Sequence, residues 1–459
     1  MPEETPPKLL HGARRDRRRV QMKIHFVGHA CIVAECADTS ILMDPWLSGK
    51  IFNDSWTLLP EPKFDPAMLD KVDYIWISHE HPDHCHFPTL GSFPADFKKR
   101  VTILFQDRDY TKMFAAFRKL GYERFQRLPH RMIVPLSGKP GATKIYCYHA
   151  GLMDSALAVL SQGQVIFNAN DARISSGECR GILNDIRHVD VLLNQFSIAA
   201  YAGFEPHEKY LPARAKQILE NVSSVHRGLD ANVTIPFASF IYFSSLDNKY
   251  VNNFVNSARD AADYLNRQGQ RAVVLYPGDS YEVGADHDSS QALARFDGLP
   301  GVDERAYDPI ESKTMPEIVA AYDSLAEQMR DKYMMLLLRM LRPVTIRIPD
   351  LDKTVRFSLA NGSLEEIDNS VEPDLVINSQ PLWFGFKFPF GIQTLGVSAR
   401  FRLLRNFNNW KFHRILFSLN NGGVYLRPKY LLTNEMLGYL RTRLGGGFRQ
   451  SIHYYRTSL

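Results

Sequence analysis

Ser78-His-Glu-His-Pro-Asp-His84 is the most informative stretch of the chain, and it directly follows the apolar run Tyr74-Ile-Trp-Ile77. The run has the composition of a buried strand, so the polar residues begin where a strand ends. Three imidazoles and one carboxylate at such close spacing are ligand types that zinc and iron prefer. A loop that leaves a strand can turn all four side chains into one cavity. The stretch predicts a metal site, and a polar loop with coincidental histidines is the alternative.

Further short apolar runs on both sides of this stretch indicate more strands. They cover residues 23–27, 32–34, 41–43, 101–105, 144–148, 156–160, 165–167, 189–193, 233–237 and 272–276. Helical spacing over residues 110–120 falls between two of these runs. Strands that alternate with helices predict a layered α/β core. We place this first domain at residues 22–290.

The remaining sequence divides into three parts. Residues 1–21 combine prolines with a basic run and predict a disordered tail. Helical spacing over residues 314–341 stops at Arg342-Pro343, so residues 291–343 predict a helical connector. From residue 344 to 459 we expect a small α+β unit, because alternation at 355–359 and an Asn361-Gly362 turn precede a helical pattern at 381–407.

Composition limits the classes of function. The chain has 459 residues, of which 45% are hydrophobic, and this excludes a disordered or fibrous protein. A net charge of +5 gives no global field for nucleic acid, and no uninterrupted apolar stretch is long enough to predict a membrane span. The five cysteines are scattered and odd in number, which favours a reducing compartment. We expect a cytoplasmic protein without a nucleic-acid partner.

The string His-x-His-x-Asp-His at residues 79–84 is identified as the signature of the metallo-β-lactamase family. The resemblance implies an αββα sandwich in which His79 and His81 share one metal, while Asp83 and His84 face a second position. It also implies His149 as the third ligand of the first metal and Asp171 as the carboxylate that bridges both. From the residues alone, His149 could instead be a core histidine with satisfied hydrogen bonds, and Asp171 could be a turn or helix cap.

The family usually supplies one more histidine from a late strand, but residues 236–250 contain none. The second metal then binds weakly, is absent, or uses another group. The candidates are Asp247, His207, His226 and His287.

His29 and Asp44 also follow predicted strands. We expect both to orient metal ligands from behind. For Asp44 the alternative is a turn-capping carboxylate, and for His29 it is a buried histidine with a purely structural hydrogen bond.

Several longer motifs resemble the CMP-N-acetylneuraminate hydroxylase family. They include Gly28-His-Ala-Cys31, Asp44-Pro-Trp-Leu47, Met153-Asp154 and Pro236-Phe-Ala238, within a resemblance that extends over residues 22–430. This implies a non-haem iron oxygenase acting on a small molecule. That family also carries a Rieske cluster, whose paired Cys and His ligands this chain lacks. Either a separate electron-donor protein carries the cluster, or the enzyme takes electrons another way, or it performs hydrolysis and shares only the scaffold. The Gly-His-Ala turn is shared more distantly with N-acylphosphatidylethanolamine phospholipase D.

Three functions remain open on this basis. The favoured one is an iron-dependent hydroxylase with one or two iron ions, in which Asp83 and Asp171 act as catalytic carboxylates. The second is a zinc-dependent phosphodiesterase or ester hydrolase, in which the same two carboxylates orient a metal-activated water. The third is a non-catalytic binding protein with a vestigial metal site.

Overall fold

The structure is a computed structural model that describes residues 21–108, 112–139, 141–151 and 153–430. The predicted N-terminal tail, apart from Gln21, and the end of the predicted C-terminal unit lie outside the described residues. The strands of the first part of the chain are β1 Lys23–Gly28, β2 Cys31–Glu35, β3 Ser40–Met43, β4 Trp56–Leu58, β5 Tyr74–Ile77, β6 Thr102–Gln106, β7 Arg124–Leu128, β8 Ile133–Pro135, β9 Lys144–Ala150, β10 Asp154–Ser161, β11 Gln164–Asn170, β12 Val189–Gln195, β13 Ala231–Phe237, β14 Ile241–Phe243 and β15 Ser280–Glu282. Its α-helices are α1 Phe87–Ser92, α2 Ala95–Arg100, α3 Met113–Lys119, α4 Ser176–Ile186, α5 His207–Gly228, α6 Ala258–Arg267 and α7 Ser290–Asp297.

Two sheets face each other in this first part. One has the strand order β15-β1-β2-β3-β5-β6-β7 and the other β13-β12-β11-β10-β9-β8. Their facing sides bury a shared core that includes Trp76 and Ile166. Helices α1 to α3 cover the outer side of the first sheet, and α4 and α5 cover the second, with Phe117 and Val225 fully buried beneath them. The predicted αββα sandwich is confirmed.

Parallel pairing brings polar strand ends to one edge of the sandwich. Strands β3, β5 and β6 are parallel, and so are β11, β12 and β13. The residues that follow β3, β5 and β11 are Asp44, Ser78 and Asp171. Strand β10 is antiparallel to β11, so its first residue, Asp154, lies at the same edge.

The prediction of a strand at residues 272–276 is wrong. Only an isolated bridge joins Ala272 to Thr234 of β13, and β13 remains the edge strand of the second sheet. The backbone N–H of Val274 donates to the Ser289 hydroxyl at 2.9 Å. The Ser289 side chain therefore accepts the hydrogen bond that a neighbouring strand would accept if residues 272–276 were part of a sheet.

The C-terminal part is an α+β unit with its own core. Its elements are α8 Met315–Lys332, α9 Met335–Met340, β16 Val344–Ile348, β17 Lys353–Ser358, β18 Ser363–Ile367, β19 Leu375–Ile377, α10 Ser379–Lys387, α11 Gly391–Ser398, β20 Phe401–Leu403 and α12 Phe407–Asn421. The strands form one sheet in the order β18-β17-β16-β19-β20. The helical pattern expected at 381–407 is broken at Phe388-Pro389, because proline cannot continue a helix, and it ends in β20.

The segment predicted as a connector packs in two directions. Ala292 of α7 is buried in the core between the two large sheets, whereas Tyr322 of α8 and Leu338 of α9 are buried with the C-terminal sheet. The apolar side chains of α7 therefore pack into the core of the sandwich, and those of α8 and α9 pack into the core of the C-terminal unit.

The C-terminal unit is fastened to a turn beside the predicted metal site, residues 52–54, which we call the 52–54 turn. All three residues have positive φ, between 52° and 59°. Asn53 and Gln380 exchange two amide hydrogen bonds at 2.9 and 2.8 Å, and Arg400 donates to the Asn53 carbonyl at 3.0 Å. Arg400 also forms a buried ion pair with Asp247 at 2.9 Å. The C-terminal unit thus holds a non-standard turn in place.

Candidate metal centre

Three side chains converge to form a first group. His79 Nε2 lies 2.8 Å from His81 Nδ1 and 3.9 Å from Asp154 Oδ1. His79 and His81 follow β5, and Asp154 begins β10. The ring of Phe52, from the 52–54 turn, packs edge-on against His81 with centroids 6.1 Å apart. One ion could reach all three ligand atoms, which lie within 4.8 Å of one another.

A second group lies beside the first. His84 Nε2 is 3.2 Å from Asp83 Oδ2 and 3.4 Å from Asp171 Oδ2. His29 Nε2 is 3.6 Å from the same Asp83 oxygen. His79 is within ligand distance of both His84 and Asp171, so the two groups adjoin. The geometry thus brings together His79, His81, Asp83, His84 and Asp171, five of the six side chains predicted as metal ligands.

Asp44 orients the second group from behind, as the sequence predicts. Its carboxylate is fully buried and accepts hydrogen bonds from the Ser78 backbone N–H at 2.8 Å, from the Ser78 hydroxyl at 2.7 Å and from His84 Nδ1 at 2.8 Å. Because Nδ1 of His84 donates to Asp44, its Nε2 is the nitrogen that faces Asp83 and Asp171 and is placed to bind a metal. Asp44 itself has a φ of 43°, an unusual backbone conformation that the packed core maintains.

A set of polar contacts joins the two ligand-bearing segments of the first group, and no sequence pattern predicted it. The Gln106 amide and the Ser155 hydroxyl both donate to the Ser78 carbonyl, at 3.1 and 2.6 Å. Arg108 donates to the Asp154 carbonyl at 3.1 Å and to Gln106 Oε1 at 2.5 Å. These buried contacts hold the strand end before His79 against the start of β10.

Burial and charge shift the pKa values within the site. Burial, with two neighbouring histidines, holds the pKa of His79 well below its ordinary value, so its lone pair is available. Burial alone would lower the pKa of His84, but the three carboxylates around it raise that pKa well above its ordinary value. Burial raises the pKa of Asp154 to about 6. The carboxylates therefore draw a proton onto His84, and a bound cation could replace that proton.

Unpartnered buried atoms show that the residues fit a metal. His84 Nε2, Asp83 Oδ1 and both ring nitrogens of His29 are buried without a hydrogen bond of normal geometry to any described residue. Buried polar atoms are rarely left unsatisfied, because each one costs about 1–3 kcal/mol. A cation between the imidazoles and carboxylates would satisfy His84 Nε2, an oxygen of Asp83 and the Nε2 atom of His29, which faces Asp83.

His149 is the predicted ligand that the structure does not bring into the cluster. Its Nε2 lies 3.0 Å from the Leu128 carbonyl, and its ring packs against His130. Asp154 occupies the position beside His79 and His81 instead. The sequence contained one indication, because Met153-Asp154 was among the motifs shared with the hydroxylase family.

The four candidates for the missing late histidine all have other partners. Asp247 pairs with Arg400, His207 lies between Glu205 and Glu208, His226 contacts Thr234, and His287 contacts the Val274 carbonyl. The end of β13, where a late histidine is expected, lies beside His29, whose carbonyl accepts the Ala238 N–H at 3.0 Å. His29 thus offers an imidazole near the position that the late strand leaves open.

The chain is similar in part to known proteins. Residues 23–190 match the family model of the Beta-lactamase superfamily domain. The cytidine monophosphate-N-acetylneuraminic acid hydroxylase of Danio rerio is 23% identical over 289 residues, which are 57% of this chain and 46% of that protein. A Mycobacterium tuberculosis protein, whose name assigns it provisionally to the Rieske 2Fe-2S iron-sulfur proteins, is 30% identical over 202 residues, 42% of this chain and 37% of the relative.

A solved structure of the diiron β-hydroxylase CmlA from Streptomyces venezuelae is also similar. It is 17% identical, with a TM-score of 0.40, and the match covers 57% of this chain and 54% of that one.

The chain spans less than half the length of the two curated relatives. No helix within the described ranges is long and apolar enough to cross a bilayer. The described chain therefore has the metallo-β-lactamase fold, residues 23–190 are similar to the Beta-lactamase superfamily domain, and the chain resembles the CMP-N-acetylneuraminic acid hydroxylases in sequence.

Proposed function

We propose that the chain is a metal-dependent hydroxylase that uses non-haem iron to oxidise a small-molecule substrate. The observation that carries this proposal is the composition of the first group, two imidazoles from His79 and His81 and one carboxylate from Asp154. Two histidines and one carboxylate on one face of an ion leave open positions and are typical of non-haem iron oxygenases. The names of the similar hydroxylases support the same assignment.

Each residue has a distinct role in this proposal. Asp83, His84 and Asp171, with His29 nearby, would hold a second ion. The Asp171 side chain is 20% exposed, and its Oδ1 accepts a hydrogen bond from the Gln195 amide at 2.9 Å. It is therefore the carboxylate of this group that a substrate can best approach. Iron bound here would supply the activation of dioxygen.

Hydroxylation of one C–H bond consumes one O2, two electrons and two protons, and it yields one hydroxyl group and one water. We infer that the electrons come from a separate redox protein. The five cysteines of this chain are buried and free, and none belongs to a group of candidate metal ligands within the described residues. The Rieske name of the mycobacterial relative fits an iron-sulfur donor.

Metal analysis tests the proposal. Protein purified without added metal is expected to contain iron and to take up oxygen when a chemical reductant and a substrate are present. Zinc sites can also use two histidines and a carboxylate, so zinc together with phosphodiester or ester hydrolysis would overturn the hydroxylase assignment. Negligible metal of any kind would favour the binding protein and overturn both enzyme assignments.

A matched pair of variants tests the ligand assignment. Asp154→Ala should lower bound iron by about tenfold or more, because removing a ligand costs more than removing a residue that orients one. His149→Ala, five residues away, should retain the metal content of the unchanged protein. If His149→Ala lost iron and Asp154→Ala retained it, His149 would be a ligand and Asp154 would not, and the proposal would lose its basis.

A further inference from the structure

An exposed apolar surface lies on the C-terminal unit, far in sequence from the metal ligands. Leu336 and Met340 are each 74% exposed, and Phe412 is 61% exposed. Leu336 and Met340 are four residues apart on α9, so they share one face of the helix. We call the set Met334, Met335, Leu336, Met340 and Phe412 the α9 surface.

Two hydrogen bonds place Phe412 beside the end of α9. The Arg342 backbone N–H donates to Asn409 Oδ1 at 3.1 Å, and the Asn409 amide donates to the Arg342 carbonyl at 3.0 Å. Phe412 follows Asn409 by three residues on α12, so both lie on the same side of that helix. Five of the thirteen exposed large hydrophobic residues of the described chain belong to this one surface, which marks it as more than scattered exposure.

Positive charge without acidic partners surrounds the α9 surface. Arg339, Arg342 and Lys411 make no ion pair within the described ranges. Residues 332–349 and 401–430 contain no aspartate or glutamate. Glu372 and Asp374 are paired with Arg405, just before α12, at 2.8 and 3.1 Å. The surface therefore combines apolar side chains with uncompensated cations.

This combination fits one kind of partner. Methionine, leucine and phenylalanine side chains can enter the boundary between lipid headgroups and acyl chains, while arginine and lysine meet anionic headgroups. A nucleic acid would use the cations but not the long aliphatic side chains, since it is read through phosphates and base edges. We propose that the α9 surface binds the protein peripherally to membranes that contain anionic lipids.

Vesicle sedimentation with the full chain tests this proposal. The protein should sediment with phosphatidylcholine vesicles that contain phosphatidylserine, should not sediment with phosphatidylcholine alone, and should be released by salt. The double variant Leu336→Ser/Met340→Ser should lose binding, and so should Arg339→Glu/Arg342→Glu. We expect losses of about tenfold or more, because one arginine beside an anionic surface is worth about fivefold in affinity.

Two matched controls come from the first part of the chain. Met132 is 59% exposed, and Lys99 is exposed on α2, so Met132→Ser and Lys99→Glu repeat the same chemistry elsewhere. Both should retain vesicle binding. All of these positions are on the surface, so folding should survive, and circular dichroism checks it.

Three outcomes would overturn the proposal. The first is that the unchanged protein fails to sediment, as it would if residues 431–459 covered the surface. The second is that the α9 variants bind as well as the controls. The third is that Leu336→Ser/Met340→Ser converts a dimer to a monomer in gel filtration without any vesicle binding, which would make the surface an interface between two copies. Metal content does not enter these measurements, so they are independent of the proposed function.

Discussion

Replacing Asp44 by asparagine tests whether the hydrogen bond from His84 to Asp44 contributes to metal affinity. The carboxylate accepts three short hydrogen bonds, two from Ser78 and one from His84 Nδ1. An amide of the same shape has only one oxygen. If that oxygen faces His84, its NH2 group opposes the Ser78 N–H, and if it faces the Ser78 N–H, the NH2 group opposes His84.

The expected loss of metal affinity follows from the number of hydrogen bonds that are lost. One hydrogen bond to a charged group is lost, worth about 1.5–3 kcal/mol, and His84 no longer has a carboxylate to fix its tautomer. Metal affinity should therefore fall by about 10- to 100-fold, the range expected for residues that orient ligands. Competition with a chromophoric chelator measures the affinity, and urea denaturation of the metal-free variant checks that it folds.

Asp38→Asn is the control for this experiment. Asp38 is an exposed carboxylate that caps Thr143 through hydrogen bonds to its N–H and hydroxyl, away from the metal ligands. Its replacement should leave metal affinity unchanged. An Asp44→Asn protein that binds metal as tightly as the unchanged chain, or an equal loss in both variants, would refute the reasoning.

Two further predictions concern stability. Arg400→Met leaves the buried Asp247 carboxylate without its partner, so the free energy of unfolding measured in urea should fall by about 3–5 kcal/mol. Arg259→Met, which breaks an exposed pair with Asp297, should change it little. Equal losses in the two variants would contradict the prediction. Burial lowers the pKa of His413 to about 4 from 6.5. Between these values the unfolded chain binds the proton and the folded chain does not, so stability is lost as pH falls below 6.5. His413 alone should contribute about 2 kcal/mol of that loss by about pH 5, and His413→Gln should remove that part in paired urea titrations; an unchanged pH slope would contradict it.

Sequence reasoning succeeded where ligands are contiguous or lie at strand ends. The His79–His84 segment and Asp171 each follow a strand with a clear apolar pattern, and parallel pairing brings such ends together without further information. The same alternation of strands and helices predicted the layered α/β core, whereas the αββα sandwich was implied by the family resemblance.

The failure at His149 has a physical cause. In the β9–β10 hairpin, His149 pairs with Ser155 while Asp154 pairs with Ala150. Which of these faces the ligands depends on the hairpin register and on a distant contact, the Leu128 carbonyl that holds the His149 ring. Neither is encoded in local periodicity.

Similar limits apply to packing. Apolar spacing predicted α8 correctly as a helix, but the same spacing would suit either core, and only the C-terminal sheet accommodates Tyr322. The prediction at 272–276 failed because the Ser289 hydroxyl, not a neighbouring strand, takes a backbone donor of that segment.

The 52–54 turn makes the two units poorly interchangeable. Phe52 packs against His81, while Asn53 is hydrogen-bonded to Gln380 and Arg400 of the C-terminal unit. A chimera that joins this sandwich to the C-terminal part of a relative would take Phe52, which packs against the candidate ligand His81, from one parent and the side chains that hold the turn from the other. A chimera that folds would therefore need the 52–54 turn, Gln380 and Arg400 to come from the same parent.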